Sequence, residues 1–78
     1  MSPTIFQYRN FRFFFFSREE PRIHVHVYTP GGEAKFWLTP KIALAVNLGL
    51  KPAELKTAEK QIIQHENEIK AAWEKHFG

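Results

Sequence analysis

The segment His24-Val25-His26-Val27-Tyr28, Thr29-Pro30-Gly31-Gly32, Glu33-Ala34-Lys35-Phe36-Trp37-Leu38 constrains the fold more than any other part of the chain. Polar and apolar residues alternate on both sides of a Pro-Gly-Gly turn. Side chains of a strand point to opposite faces in turn, so the pattern predicts an antiparallel hairpin with two unlike faces. With a loop of even length, centred on Pro30-Gly31 or on Gly31-Gly32, Val25, Val27, Ala34, Phe36 and Leu38 share one face, which reads as core. His24, His26, Tyr28, Glu33, Lys35 and Trp37 share the other, which is rich in groups that titrate, stack or hydrogen-bond. That second face is where the sequence nominates a site.

The remaining elements are arranged around this hairpin. Thr4 to Tyr8 and Phe11 to Ser17 are aromatic-rich and joined by Arg9-Asn10, which predicts a second tight hairpin. It would place Phe6, Tyr8, Phe11, Phe13 and Phe15 on one face and Ile5, Gln7, Arg12, Phe14 and Phe16 on the other. Both faces are apolar, so the hairpin is expected either to be covered on both sides or to set its second face against another chain. Ser17 to Arg22 reads as a polar loop. Residues 41–48 stay open between strand and helix: Ile42, Leu44, Val46 and Leu48 alternate as a fifth strand would, whereas Ala43-Leu44-Ala45 suits a short helix. Pro52 and Glu54 then open a helix. Leu55, Ala58, Ile62, Ile69, Ala72 and Trp73 recur at helical spacing, with Lys56, Glu59, Lys60, Glu66, Lys70 and Glu74 largely outside. The expected architecture is a single α+β domain over residues 1–78, an antiparallel β-meander of four or five strands packed on one long C-terminal α-helix.

Composition narrows the setting. A chain of 78 residues buries only roughly 60 to 65% of its unfolded surface, so a homodimer or a partner is a natural supplement to the core. The absence of cysteine removes disulfides and thiolates and fits a reducing cytoplasm. The longest apolar run, Phe13 to Phe16, falls far short of the ~20 residues of a membrane span, and the N-terminus lacks a signal-peptide layout. A soluble cytoplasmic protein, with no membrane partner and no cofactor, is expected. Residues 1–50 carry six Lys or Arg against three acids, and residues 51–78 carry five of each. The net charge of +3 therefore lies in the strand region, but without the dense clusters of most nucleic-acid footprints. Nucleic acid is the less favoured partner.

Three chemistries compete for the polar face. His24 and His26, two apart on a strand, stand close enough to reach one metal, but a third ligand would have to come from Glu33, His65, His76 or a partner, and none announces itself by its spacing. The same pair could serve as neutral base and protonated acid in RNA cleavage, with Arg22 or Lys35 steadying the phosphate. A small ribonuclease or metal-dependent hydrolase is thus the alternative reading. The favoured one is a binding surface made of Phe14, Phe16, Arg22, His24, His26, Tyr28, Lys35 and Trp37, since aromatic groups give large contact area at low entropic loss. Trp73 and Phe77 are expected to anchor the helix end to the sheet, and His76 to favour the helix dipole.

The residues also resemble a known family. Ser2-Pro3-Thr4-Ile5, Phe13-Phe14-Phe15-Phe16-Ser17, Glu19-Glu20-Pro21, His24-Val25-His26-Val27, Glu33-Ala34-Lys35-Phe36-Trp37-Leu38, Asn47-Leu48-Gly49-Leu50 and Ala72-Trp73-Glu74-Lys75-His76-Phe77 are similar to the small bacterial proteins grouped as domain of unknown function 4160. Lys51-Pro52 departs from the commoner polar cap at the helix start. The resemblance implies a neighbouring gene for a second small protein and a toxin-antitoxin-like arrangement. It carries over no catalytic residue.

Overall fold

A computed structural model of the protein describes residues 4–16 and 21–77. Five strands, β1 (Thr4–Tyr8), β2 (Phe11–Phe14), β3 (His24–Thr29), β4 (Gly32–Trp37) and β5 (Ala43–Leu48), form one antiparallel meander in the order β1-β2-β3-β4-β5. Two helices follow, α1 (Pro52–Gln64) and α2 (Glu66–Phe77). Residues 41–48, open between two assignments on sequence grounds, belong to a short turn and to the fifth strand. Of the expected polar loop from Ser17 to Arg22, residues 17–20 lie outside the described residues, and Pro21 and Arg22 form an exposed bend before β3.

Local chemistry explains the turns. The β1-β2 hairpin closes on Arg9-Asn10, with Tyr8 opposite Phe11, and Arg9 takes a positive φ of 55°. An arginine bears some backbone strain there. In the central hairpin Thr29 pairs with Gly32, so Pro30-Gly31 is the loop. The buried Thr29 hydroxyl accepts a hydrogen bond from the Gly31 amide at 3.1 Å. Gly32 lies so close to the Leu48 carbonyl oxygen that a Cβ would collide with it, and Gly49, at φ +106°, packs against the same turn. The Asn47 side chain holds that crossing, accepting from the Leu50 amide at 2.9 Å and donating to the Leu50 carbonyl at 3.0 Å.

The hairpin faces follow the alternation. Val25 stands opposite Phe36 and Val27 opposite Ala34, and all four are buried with Phe11, Phe13, Phe15 and Leu38. Ala58, Ile62, Ile69 and Trp73 complete the core from the helices. One assignment needs correction: Ile5 packs on the core, not on the opposite face. Thr4 pairs with Phe14 and Phe6 with Phe13, so Ile5 is an extra residue in a bulge, which breaks the alternation.

The single long helix is also corrected. His65 leaves helical geometry at φ −108°, ψ 17°, between α1 and α2. Its Nδ1 donates to the Gln61 carbonyl at 2.8 Å, the same oxygen its backbone amide binds at 3.0 Å. The backbone ladder continues across it, the Ile69 amide donating to the His65 carbonyl at 2.9 Å, so the interruption is confined to this one residue. The ring then stacks on Phe6 at 3.9 Å between centroids, and Phe6 stacks on Phe13 at 4.3 Å. At the start of α1, Pro52 occupies the first turn and Glu54 accepts from the Lys51 amide at 2.9 Å, so capping comes from Glu54 in place of a polar cap residue. No helix among the described residues is long and apolar enough to cross a membrane.

Two stability outcomes follow. Gly32→Ala should cost about 2 kcal/mol or more in chemical denaturation, because backbone must move at the crossing with Gly49. Ile62→Ala, emptying a fully buried site, should cost about 2 to 5 kcal/mol and leave little of a small domain folded.

Candidate functional site

The face turned away from the helices is ordered in rows across the strands. One row runs Gln7, Arg12, Tyr28, Glu33, Leu48; the next runs Thr4, Phe14, His26, Lys35, Val46; a shorter one runs His24, Trp37, Ala43. Opposite residues of antiparallel strands share a face. The sheet therefore gathers His24, His26, Tyr28, Lys35 and Trp37 on one side, together with Phe14.

Register and accessibility diverge at two of these positions. His24 is fully buried, which corrects its expected place on the contact surface. β2 ends at Phe14, opposite His26, so among the described residues no ladder residue stands beside His24 on that flank. The Trp73 indole of α2 fills the place, edge-on to His24 at 5.2 Å and to Phe15 at 5.3 Å. His26 at 5.2 Å and Trp37 at 5.6 Å close the other sides. The His24 Nδ1 donates to the Arg22 carbonyl at 2.7 Å, so that nitrogen carries a hydrogen. Phe14 is likewise buried, beneath Phe16 at 5.2 Å, His26 at 5.5 Å and the Arg12 guanidinium at 4.8 Å. An aromatic side chain on an uncovered face is thus itself covered by its neighbours.

The other predicted residues reach the surface. Tyr28 is 49% exposed and Phe16 is 41% exposed. His26 is half-buried, with the Phe16 ring at 4.3 Å. Trp37, also half-buried, lies between the Arg22 guanidinium at 4.2 Å and the Lys35 ammonium at 4.5 Å. Arg22 is further fixed by donating from Nε to the Thr39 carbonyl at 2.8 Å. These cations lie against ring faces, where the ring quadrupole attracts them.

The sequence reading missed the contribution of β5. Val46 at 43% and Leu48 at 62% exposure join Phe16, His26, Glu33 and Lys35 around a shallow groove of about 220 Å³. The signal was the alternation of Val46 and Leu48, legible only once residues 41–48 are taken as a strand. Among the described residues no group of three or more His, Asp or Glu is placed to hold a metal ion. His65 and His76, considered as further ligands, lie elsewhere: His65 stacks on Phe6, and His76 is exposed in the last turn of α2. The arrangement offers apolar contact area with a few fixed polar groups, the pattern of a binding surface.

Burial separates the two histidines experimentally. His24→Ala should cost about 2 to 4 kcal/mol in thermal or chemical unfolding, through the cavity left against Trp37 and Trp73. His26→Ala should stay within about 1 kcal/mol of the parent protein. Equal effects would contradict the sealed position of His24.

No curated protein and no solved structure matches the sequence. A family described as a domain of unknown function, DUF4160, matches residues 10–74. That span holds four of the five strands, all of α1 and most of α2. The match covers the hairpin, the groove and the Trp73 seal together, and the chain belongs to the DUF4160 family.

Proposed function

We propose that this protein is a non-enzymatic interaction module that seats a small protein partner on the open face of its sheet, as one member of a toxin-antitoxin-like pair. One observation carries the reading: Phe16, Tyr28, Val46 and Leu48, each at least 41% exposed, lie on the side of the sheet that the helices do not cover. A small domain gains nothing in folding from apolar groups left in water, and a contiguous group of them marks an interaction surface. Their surroundings suit recognition. Trp37 and Phe14 are held under Arg22, Lys35 and Arg12, so little side-chain freedom remains to be lost when a partner docks. Glu33 and Lys35 in the groove supply both signs of charge for orientation.

The burial of His24 weighs against the hydrolytic alternative, since a general acid or base must touch the group it serves. The toxin-antitoxin part of the proposal draws on the family resemblance, and the binding part on the exposed apolar face.

Co-expression with the small protein encoded by the adjacent gene tests both parts. Tagged protein should retain that partner, and Tyr28→Ala or Leu48→Asp should each weaken retention about tenfold or more, as for hot-spot residues, with circular dichroism unchanged. Retention that ignores both substitutions rejects the surface. Growth arrest by one protein alone, relieved by the other, is the expected cellular outcome; no arrest by either removes the toxin-antitoxin part.

A further inference from the structure

The outer edge of β5 carries a pattern that the open face does not account for. Between Lys41 and Lys51 the chain has no charged residue and no proline. β5 pairs with β4 on one side and ends the sheet on the other. Natural edge strands are protected by charge, by proline or by cover, because their unpaired amides and carbonyls template further pairing. Leu44 at 46% and Leu48 at 62% exposure leave apolar side chains on both sides of this edge.

The facing pattern of β5 shows what fits there. Ala43, Val46 and Leu48 stand opposite Trp37, Lys35 and Glu33, on the open side. Leu44 and Asn47 stand opposite Phe36 and Ala34, on the core side. The register shifts between Lys35 and Phe36, leaving Ala45 as the additional residue. A bulge sets two successive residues opposite one, and the half-buried Ala45 is not among the hydrophobics packed against the core, so it sides with Val46 in facing Lys35. The strand therefore reads the same from either end: open, core, a central open pair, core, open. Opposite residues of an antiparallel pair share a face, and a two-fold axis perpendicular to a sheet keeps each face on its own side. A regularly alternating strand of this length would put Ala43 and Leu48 on different faces and could not pair with itself about its midpoint. The bulge removes that obstacle.

We infer that β5 is a homodimer edge, pairing antiparallel with β5 of a second copy about a two-fold axis between Ala45 and Val46. Ala43 then faces Leu48 of the second copy, Leu44 faces Asn47, and Ala45 faces Val46. Ala43 and Ala45 thus stand against the larger Leu48 and Val46. Lys41 and Lys51 lie beyond the two ends of the strand, so no like charges meet across the ladder. The two sheets become continuous, and the grooves at Val46 and Leu48 flank the axis on one shared open face. This dimer needs no second protein and does not depend on the partner proposed above.

Sedimentation equilibrium of the full chain alone, from micromolar to submillimolar concentration, tests it. The expected result is a reversible species of twice the 9.2 kDa chain mass. Leu44→Lys, at an exposed position outside the groove, should weaken it at least about tenfold by placing charge on the edge, whereas Tyr28→Ala should leave it intact. Hydrogen exchange of the unsubstituted protein should show amides of residues 43–48 gaining protection as concentration rises, a readout that requires no variant. A single-chain mass throughout, a dimer indifferent to Leu44→Lys, or a dimer lost in Tyr28→Ala with no gain of protection in β5 would each overturn the inference.

Discussion

Phe6, Phe13, Val27 and Ala34 stand side by side across four strands, and the helices lay Ala58, Ile62 and Ile69 into the same core. Burying one such large side chain is worth roughly 1.5 to 3 kcal/mol, against an ordering cost of comparable size for each residue fixed. So small a domain can leave few of these contacts unmade. Because alternate residues must go to the other face, this row also dictates what is displayed on the open side. The histidines, the tyrosine and the lysine of the central hairpin are there because the valines, the alanine and the phenylalanine between them are not.

Aromatic contacts finish what the aliphatic core begins. At one end of the sheet Trp73 meets Phe15, His24 and Phe77, tying α2 to the start of β3. At another point the Phe13, Phe6 and His65 rings stack in sequence, which joins the first hairpin to the interruption between the helices. His24 and His65 are thus structural in this fold. One packs at the sheet end, and the other stands where the helical stretch divides.

The open face combines exposed apolar side chains with cations held against aromatic rings. Arg12, Arg22 and Lys35 lie within 4.8 Å of ring centroids, where direct contact fixes both members of each pair. Side chains already in contact have less freedom left to lose when something docks on them. Family membership by itself assigns no activity, so the functional reading stands on this geometry.

The sequence by itself determined the faces of the central hairpin, because strand geometry ties each residue's side to its parity and a short turn fixes the register. It also determined the meander, the amphipathic helical stretch and the anchoring of its end by Trp73. Tertiary structure decided the rest. His24 has the same parity as His26, yet it is buried with the Trp73 indole of α2 against it, and no local pattern encodes a contact with residue 73. The bulges at Ile5 and Ala45 depend on how neighbouring strands fit, so alternation alone put Ile5 on the wrong face. The interruption at His65 coincides with its stacking on the Phe6 ring, a contact between distant residues that no local pattern encodes. Residues 41–48 could be read either way until β4 supplied a ladder, because short apolar runs take their conformation from whatever offers them hydrogen bonds and cover.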